Sequence, residues 1–159
     1  FRAFLKEKGY KNGHVTIDAS DWYIAGRLVE RLKENPQADV RGFRDFYIEH
    51  MYDRAVFYDG LADELTGRKI HHTILLHHNL AAAMFLDDLI AHFKEKGWEI
   101  IDADEAFKDP VFNEVPTVVP AGESLIWALA KQSGKYEKDL RYPAENGDYL
   151  KAKMDSLGL

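Results

Sequence analysis

The stretch His71-His72-Thr73-Ile74-Leu75-Leu76-His77-His78-Asn79 decides the predicted fold, because an apolar run of four residues lies between two pairs of histidines. Four of the seven histidines of the chain fall within it. Such a run is typical of a short buried strand, in which successive side chains point to opposite faces of a sheet. Leu75 and His77 then share one face. A histidine at the end of a strand is a candidate active-site residue.

The clustered histidines raise the possibility of a metal site, because imidazole is a common ligand of zinc and similar ions. The geometry of a strand argues against it. His71 and His77 share a face but lie roughly 20 Å apart at about 3.3 Å per residue. His77 and His78 point to opposite faces. We therefore predict no metal site within this stretch, with His71 and His72 as surface or packing residues.

Two further strands are predicted on either side of the histidine stretch. Residues 14–18 form a short β-branched run that ends in the loop Ala19-Ser20-Asp21-Trp22, and residues 98–102 follow a glycine that ends a helix. Helical periodicity predicts helices over residues 1–9, 22–35, 37–66, 80–96, 104–107, 124–132 and 148–156. Strands that alternate with helices predict an α/β fold, with parallel strands and outer helices.

We expect one domain over residues 1–159, with a helical insertion at 37–66 and a C-terminal tail of loops and helices at 111–159. The aromatic stripe of the 37–66 helix is expected to lie in the core. Phe1 lies within the first predicted helix, and a domain seldom starts inside an element. Three strands are also too few to close a barrel. We therefore expect the chain to be the C-terminal portion of a larger α/β unit.

Composition excludes several classes of protein. The chain is acidic, with a net charge of -6, which argues against nucleic acid as the main partner. No apolar run approaches the roughly 20 residues of a transmembrane helix. There are no cysteines, so disulfides and thiolate metal sites are excluded. The oligomeric state is left open.

Ionisable residues follow two of the predicted strands, where chemistry occurs in parallel α/β folds. Asp18 ends the first, Asp21 and Trp22 follow it, and Leu75 and His77 end the second. A carboxylate beside a histidine can fix its tautomer and hold it protonated, as a general acid requires. The alternative is that Asp21 caps a helix, Trp22 lies in the core and His77 is a buried structural histidine.

Together, the two segments resemble the last two motifs of the polysaccharide deacetylases (NodB-type, carbohydrate esterase family four). That family has an Asp-x-x-Asp-Trp motif after one strand, matched by Asp18-Ala19-Ser20-Asp21-Trp22, and a Leu-x-His motif after a later one, matched by Leu75-Leu76-His77. The helix and strand over residues 80–102 are similar to the family's closing elements. The resemblance covers residues 10–108.

The resemblance implies an irregular (β/α) barrel and a hydrolase that uses a divalent metal, zinc, to remove acetyl groups from N-acetylated sugars or a related small amide. Trp22 and Leu75 would line the pocket for the acetyl methyl group. His77 would protonate the leaving amine. Asp21, or as second choice Asp18, would orient that histidine. The resemblance favours a periplasmic or extracellular location.

Several motifs of the family are missing. The Thr-Phe-Asp-Asp motif of the general base, the His-Ser/Thr-x-x-His motif of the metal ligands and the Arg-x-Pro motif do not occur in the 159 residues. We therefore expect the metal ligands to lie outside this chain and the chain alone to be inactive. The alternatives are a noncatalytic carbohydrate-binding or structural module, or an unrelated α/β protein that dimerises through residues 43–65.

Overall fold

The longest helix organises the fold. In a computed structural model that describes residues 1–120, 122–136, 140 and 147–159, helices α2, α4 and α6 pack around helix α3. The helices are α1 (Arg2–Glu7), α2 (Asp21–Glu34), α3 (Arg41–Thr66), α4 (Leu80–Glu95), α5 (Ala103–Ala106), α6 (Leu125–Ser133) and α7 (Gly147–Ser156), with a 3-10 helix at Pro110–Asn113.

Helix α3 is central because its aromatic stripe is buried. Phe43, Tyr47 and Tyr58 have no exposed surface, and Phe46 is almost fully buried. The helix ends at Gly67, whose φ of 67° is the left-handed conformation that favours glycine. The prediction of a helical core stripe agrees with this burial. That residues 37–66 are an insertion stays a prediction; in the structure the other main helices pack on α3.

The predicted α/β fold is wrong. In the described part of the chain there is no sheet, and strand pairing is limited to one isolated parallel bridge between Ile17 and Ile74. Ile17 donates its N–H to the Thr73 carbonyl at 2.9 Å, and Leu75 donates to the Ile17 carbonyl at 3.0 Å. The two apolar runs therefore lie side by side, but they do not extend into a ladder. The predicted irregular (β/α) barrel is wrong for the same reason, because a barrel requires paired parallel strands.

The third predicted strand shows why β-branched runs misled the prediction. Residues 98–102 have no strand pairing, and Ile100 and Ile101 are 50% and 36% exposed. Extended backbone needs a partner for its N–H and C=O groups, and short runs with polar flanks gain little from burial. The core is built by helix packing instead.

The C-terminal region wraps back onto the helices. The N–H of Leu125, at the start of α6, donates to the Val15 carbonyl at 2.7 Å. The last residue, Leu159, packs against Gly42, where a Cβ atom would lie 2.7 Å from the Leu159 Cδ2. Arg31 donates to the Gly158 carbonyl at 2.6 Å. Part of the predicted C-terminal tail, residues 121, 137–139 and 141–146, lies outside the described residues.

Among the described residues, no helix combines the length and apolar character required to cross a membrane.

Candidate active site

The candidate site is built on the Asp21 carboxylate. Asp21 is the first residue of α2 and is fully buried, so its charge lies at the positive end of a helix. Its Oδ1 is 2.6 Å from the His77 Nδ1. Its Oδ2 accepts the His77 backbone N–H at 2.9 Å and the Asn79 side-chain amide at 2.7 Å. Asp21 is therefore bound to the segment that begins α4.

This geometry determines the orientation of the His77 ring. An ionised carboxylate only accepts hydrogen bonds, so the proton between the two side chains belongs on Nδ1. The other nitrogen, Nε2, faces away from the carboxylate. The His77 side chain is 46% exposed, whereas that of Asp21 is buried. The arrangement holds one imidazole tautomer at the surface, with Nε2 available for proton transfer.

A shallow pocket of about 420 Å³ opens beside His77. It is lined by Trp22, Ala25, Gly26, Val29, Glu30, Lys33, His77, Asn79 and Leu80. The Trp22 ring is 55% exposed and meets the Tyr23 ring edge-on at 5.7 Å. An exposed tryptophan next to a histidine offers an apolar wall beside a group that can move a proton.

The structure brings together some of the predicted site residues and separates others. Trp22 and His77 line the pocket, and the buried Asp21 contacts His77 from behind it, while Leu75 is not among the lining residues. Asp21, and not Asp18, contacts the His77 ring. The Asp18 carbonyl instead accepts from Arg54 at 2.8 Å. Their catalytic and binding roles stay predictions.

The alternative structural interpretation of these residues does not fit their positions. Ser20, not Asp21, occupies the N-cap position of α2, and the Asp21 carboxylate is directed to His77. Trp22 is exposed and therefore is not a core residue. The His77 ring is not buried. Trp22 and His77, which a purely structural interpretation would bury, thus line one surface pocket, and the buried Asp21 binds His77.

Two residues of α3 lie beneath the site and were not predicted from the sequence. Arg54 is fully buried, and the sequence shows only an arginine within an aromatic stripe. Tyr47 is also fully buried, and burial, followed by the nearby Asp21 charge, raises the pKa of its hydroxyl to about 12. Tyr47 therefore stays neutral at physiological pH.

Asn79 was also missed as a site residue, although a signal for it was present. An asparagine directly before a helical segment is a favoured N-cap. Its Oδ1 accepts the Ala82 N–H at 2.9 Å, while its amide donates to Asp21. The Asn79 side chain therefore caps α4 and also hydrogen-bonds the Asp21 carboxylate.

The other histidines of the opening stretch do not form a metal centre. His72 is turned inward, with its Nδ1 3.1 Å from the Thr16 hydroxyl, and burial lowers the pKa of its ring. His71 and His78 are exposed. Within the described ranges, no group of three or more His, Cys, Asp or Glu side chains could hold a metal ion. These residues do not fit the divalent metal that the resemblance implies.

Comparison with known proteins found no family model, no curated protein and no solved structure that matches the chain.

Proposed function

We propose that the chain forms part of an enzyme that hydrolyses the amide of N-acetylated sugars, releasing acetate and leaving an amine on the sugar. The observation that supports this proposal is the Asp21–His77 pair, with a 2.6 Å contact at the edge of the Trp22 pocket. A buried carboxylate that orients a surface imidazole is a common arrangement for proton transfer.

His77 has the role of general acid in this proposal. Cleavage of the C–N bond leaves the nitrogen with an electron pair that needs a proton, and the imidazolium Nε2–H supplies it. The Asp21 carboxylate orients the ring through Nδ1 and stabilises its positive form. Trp22 provides the apolar wall for the acetyl methyl group. No step is assigned to a metal, because the described residues do not fit one.

The remaining groups of the reaction belong elsewhere in this proposal. The base that activates water, and the ligands of a divalent ion such as zinc, are contributed by residues other than those described. The isolated 159-residue chain is therefore expected to release no acetate. Robust deacetylation by that chain alone would contradict this part of the proposal.

The test measures acetate release from N-acetylated oligosaccharides by the intact protein that carries this chain. His77→Gln should lower kcat by roughly 10²–10⁴-fold, the usual contribution of a general acid. The matched control is His78→Gln, which changes the neighbouring exposed histidine and should leave kcat unchanged. Equal activity of the two variants would remove His77 from the mechanism.

A second candidate function is a noncatalytic carbohydrate-binding module. It is favoured by the 55% exposure of Trp22, because sugar rings stack on exposed aromatic faces. In this case Trp22→Ala abolishes glycan binding, measured by calorimetry. His77→Gln would leave binding intact, and no acetate would be released by the intact protein.

A further inference from the structure

Arg54 lies under the turn that carries the candidate site. It is fully buried in α3, and its Nε donates to the Asp18 carbonyl at 2.8 Å. Its Nη2 also donates to that carbonyl oxygen. The guanidinium carbon lies 5.0 Å from the centre of the Tyr58 ring. Nε and Nη2, on one edge of the guanidinium, therefore both donate to one backbone oxygen of the site turn.

Burying the Arg54 guanidinium costs free energy, which a residue that only fills the core would avoid. Removing a guanidinium from water carries a large penalty unless its hydrogen bonds are replaced. The neighbouring buried position one turn earlier is Met51, which fills space without that penalty. Unlike Met51, Arg54 donates hydrogen bonds to the Asp18 carbonyl of the site turn.

The turn from Asp18 to Asp21 connects the backbone that Arg54 holds to the carboxylate that binds His77. Only Ala19 and Ser20 lie between the two aspartates, and both are buried. Asp21 then begins α2 and binds the His77 ring. Holding the Asp18 carbonyl thus limits the movement of the backbone that places the Asp21 carboxylate.

Tyr47 lies on the same face of α3 as Arg54. Tyr47 and Arg54 are seven residues apart, so they share one face of the helix about 10 Å apart along its axis. The Tyr47 hydroxyl is buried, has no hydrogen-bond partner among the described residues, and lies within the field of the Asp21 charge. One face of α3 therefore carries Arg54, which donates to the Asp18 carbonyl, and Tyr47, which lies near the Asp21 charge.

We propose that Arg54 is a positioning residue that holds the Asp18–Asp21 turn, so that Asp21 keeps His77 in its Nδ1-protonated tautomer with Nε2 directed outward. The functional meaning of this inference rests on the proposed function, but the positioning itself does not. The position of the proton on the His77 ring can be measured in the 159-residue chain without substrate.

The experiment reads the His77 tautomer by ¹⁵N NMR of the imidazole nitrogens in the 159-residue chain. Wild type should show one tautomer, with the proton on Nδ1. Arg54→Met, which keeps the apolar volume but removes the donors, should lose this single-tautomer signature. The matched control is Met51→Ala, which damages the same buried face without touching Asp18 and should retain it. A tautomer unchanged in Arg54→Met would overturn the proposal.

A second measurement covers the case in which Arg54→Met does not fold. Arg54→Lys keeps the charge but not the fork, and it is combined with Asp21→Asn in a double-mutant cycle on urea unfolding. Nonadditive effects support coupling through the turn, and additive effects refute it. Failure of Arg54→Lys to fold while Met51→Ala folds would make Arg54 a general core residue and also overturn the proposal.

The two proposals can fail separately. A normal tautomer in Arg54→Met rejects the positioning role even if the intact protein deacetylates sugars. Loss of the tautomer in Arg54→Met, with no acetate released by the intact protein, keeps the positioning role and rejects the proposed function.

Discussion

The Asp21 carboxylate accepts both the ring Nδ1–H and the backbone N–H of His77, at 2.6 and 2.9 Å. One side chain therefore fixes both the orientation of the ring and the position of its backbone. The carboxylate is fully buried while the ring is half-exposed. This asymmetry keeps the charge of Asp21 away from water and leaves the imidazole able to meet a ligand.

Asp21→Asn should destabilise the fold by about 1–3 kcal/mol, because an amide cannot replace the charge-assisted bonds and brings a donor toward the Asn79 amide. Urea unfolding measures this change. Asp53→Asn replaces an exposed aspartate of α3 and should stay within about 0.5 kcal/mol of wild type. Equal stability of the two variants would show that the Asp21 bonds contribute nothing net.

Trp22→Ala should cost less than about 1 kcal/mol, because more than half of the ring is already in water. The control is Trp127→Ala in α6, where the side chain is 5% exposed and its loss should cost about 3–5 kcal/mol. Thermal or urea unfolding distinguishes the two. A large loss at Trp22 would mark it as a structural residue and weaken both candidate functions.

His50 should make the fold acid-sensitive. It is 4% exposed on α3, and burial, with the nearby Arg54 and Lys153 charges, lowers the pKa of its ring to about 3. The unfolded chain binds this proton near pH 6.5 but the folded chain does not. The free energy of unfolding should therefore fall as the pH drops from 6.5 toward 3, by up to about 1.4 kcal/mol per unit.

Replacing His50 isolates this contribution to acid sensitivity. His50→Leu removes the titrating group, so its unfolding free energy should depend less on pH than that of wild type over the same interval. His50→Gln should show the same flatter profile, even if its stability at pH 7 differs. Parallel pH profiles for wild type and both variants would contradict the assignment.

Two glycines of α3 should respond differently to alanine. Gly60 lies mid-helix with open space where a Cβ atom would be added, so Gly60→Ala should stabilise the fold by about 0.5–1 kcal/mol. At Gly42 the new Cβ would meet the Leu159 side chain at 2.7 Å, so the gain should be smaller or lost. In a Leu159→Ala background, Gly42→Ala should gain stability, as measured by urea unfolding.

The helices were predictable because their ends carry local signals. Gly67 ends α3 in a left-handed conformation, and Asn79 caps α4 through Ala82. Whether the predicted strands pair into a sheet could not be predicted in the same way. Runs such as 14–18 and 98–102 favour extended backbone, but whether they pair depends on distant partners, and only Ile17 and Ile74 form a bridge among the residues described.

The site was predictable in part, for a related reason. Asp21 and His77 were selected by residue type and by resemblance, and the structure places them in contact. Tyr47 and Arg54 were not selected, because within α3 they look like members of a core stripe. Their relation to the site depends on how α3 packs beneath the turn, and that is a tertiary property.

The isolated bridge between Ile17 and Ile74 has a consequence for folding kinetics. Ile17 and Ile74 lie on either side of α2 and α3 in the sequence. Asp21 and His77, which are 56 positions apart, enclose the same two helices. Closing so long a loop is entropically costly until both helices have docked. The imidazole–carboxylate pair therefore forms only with the core itself, and exchange of the His77 amide proton should require global unfolding.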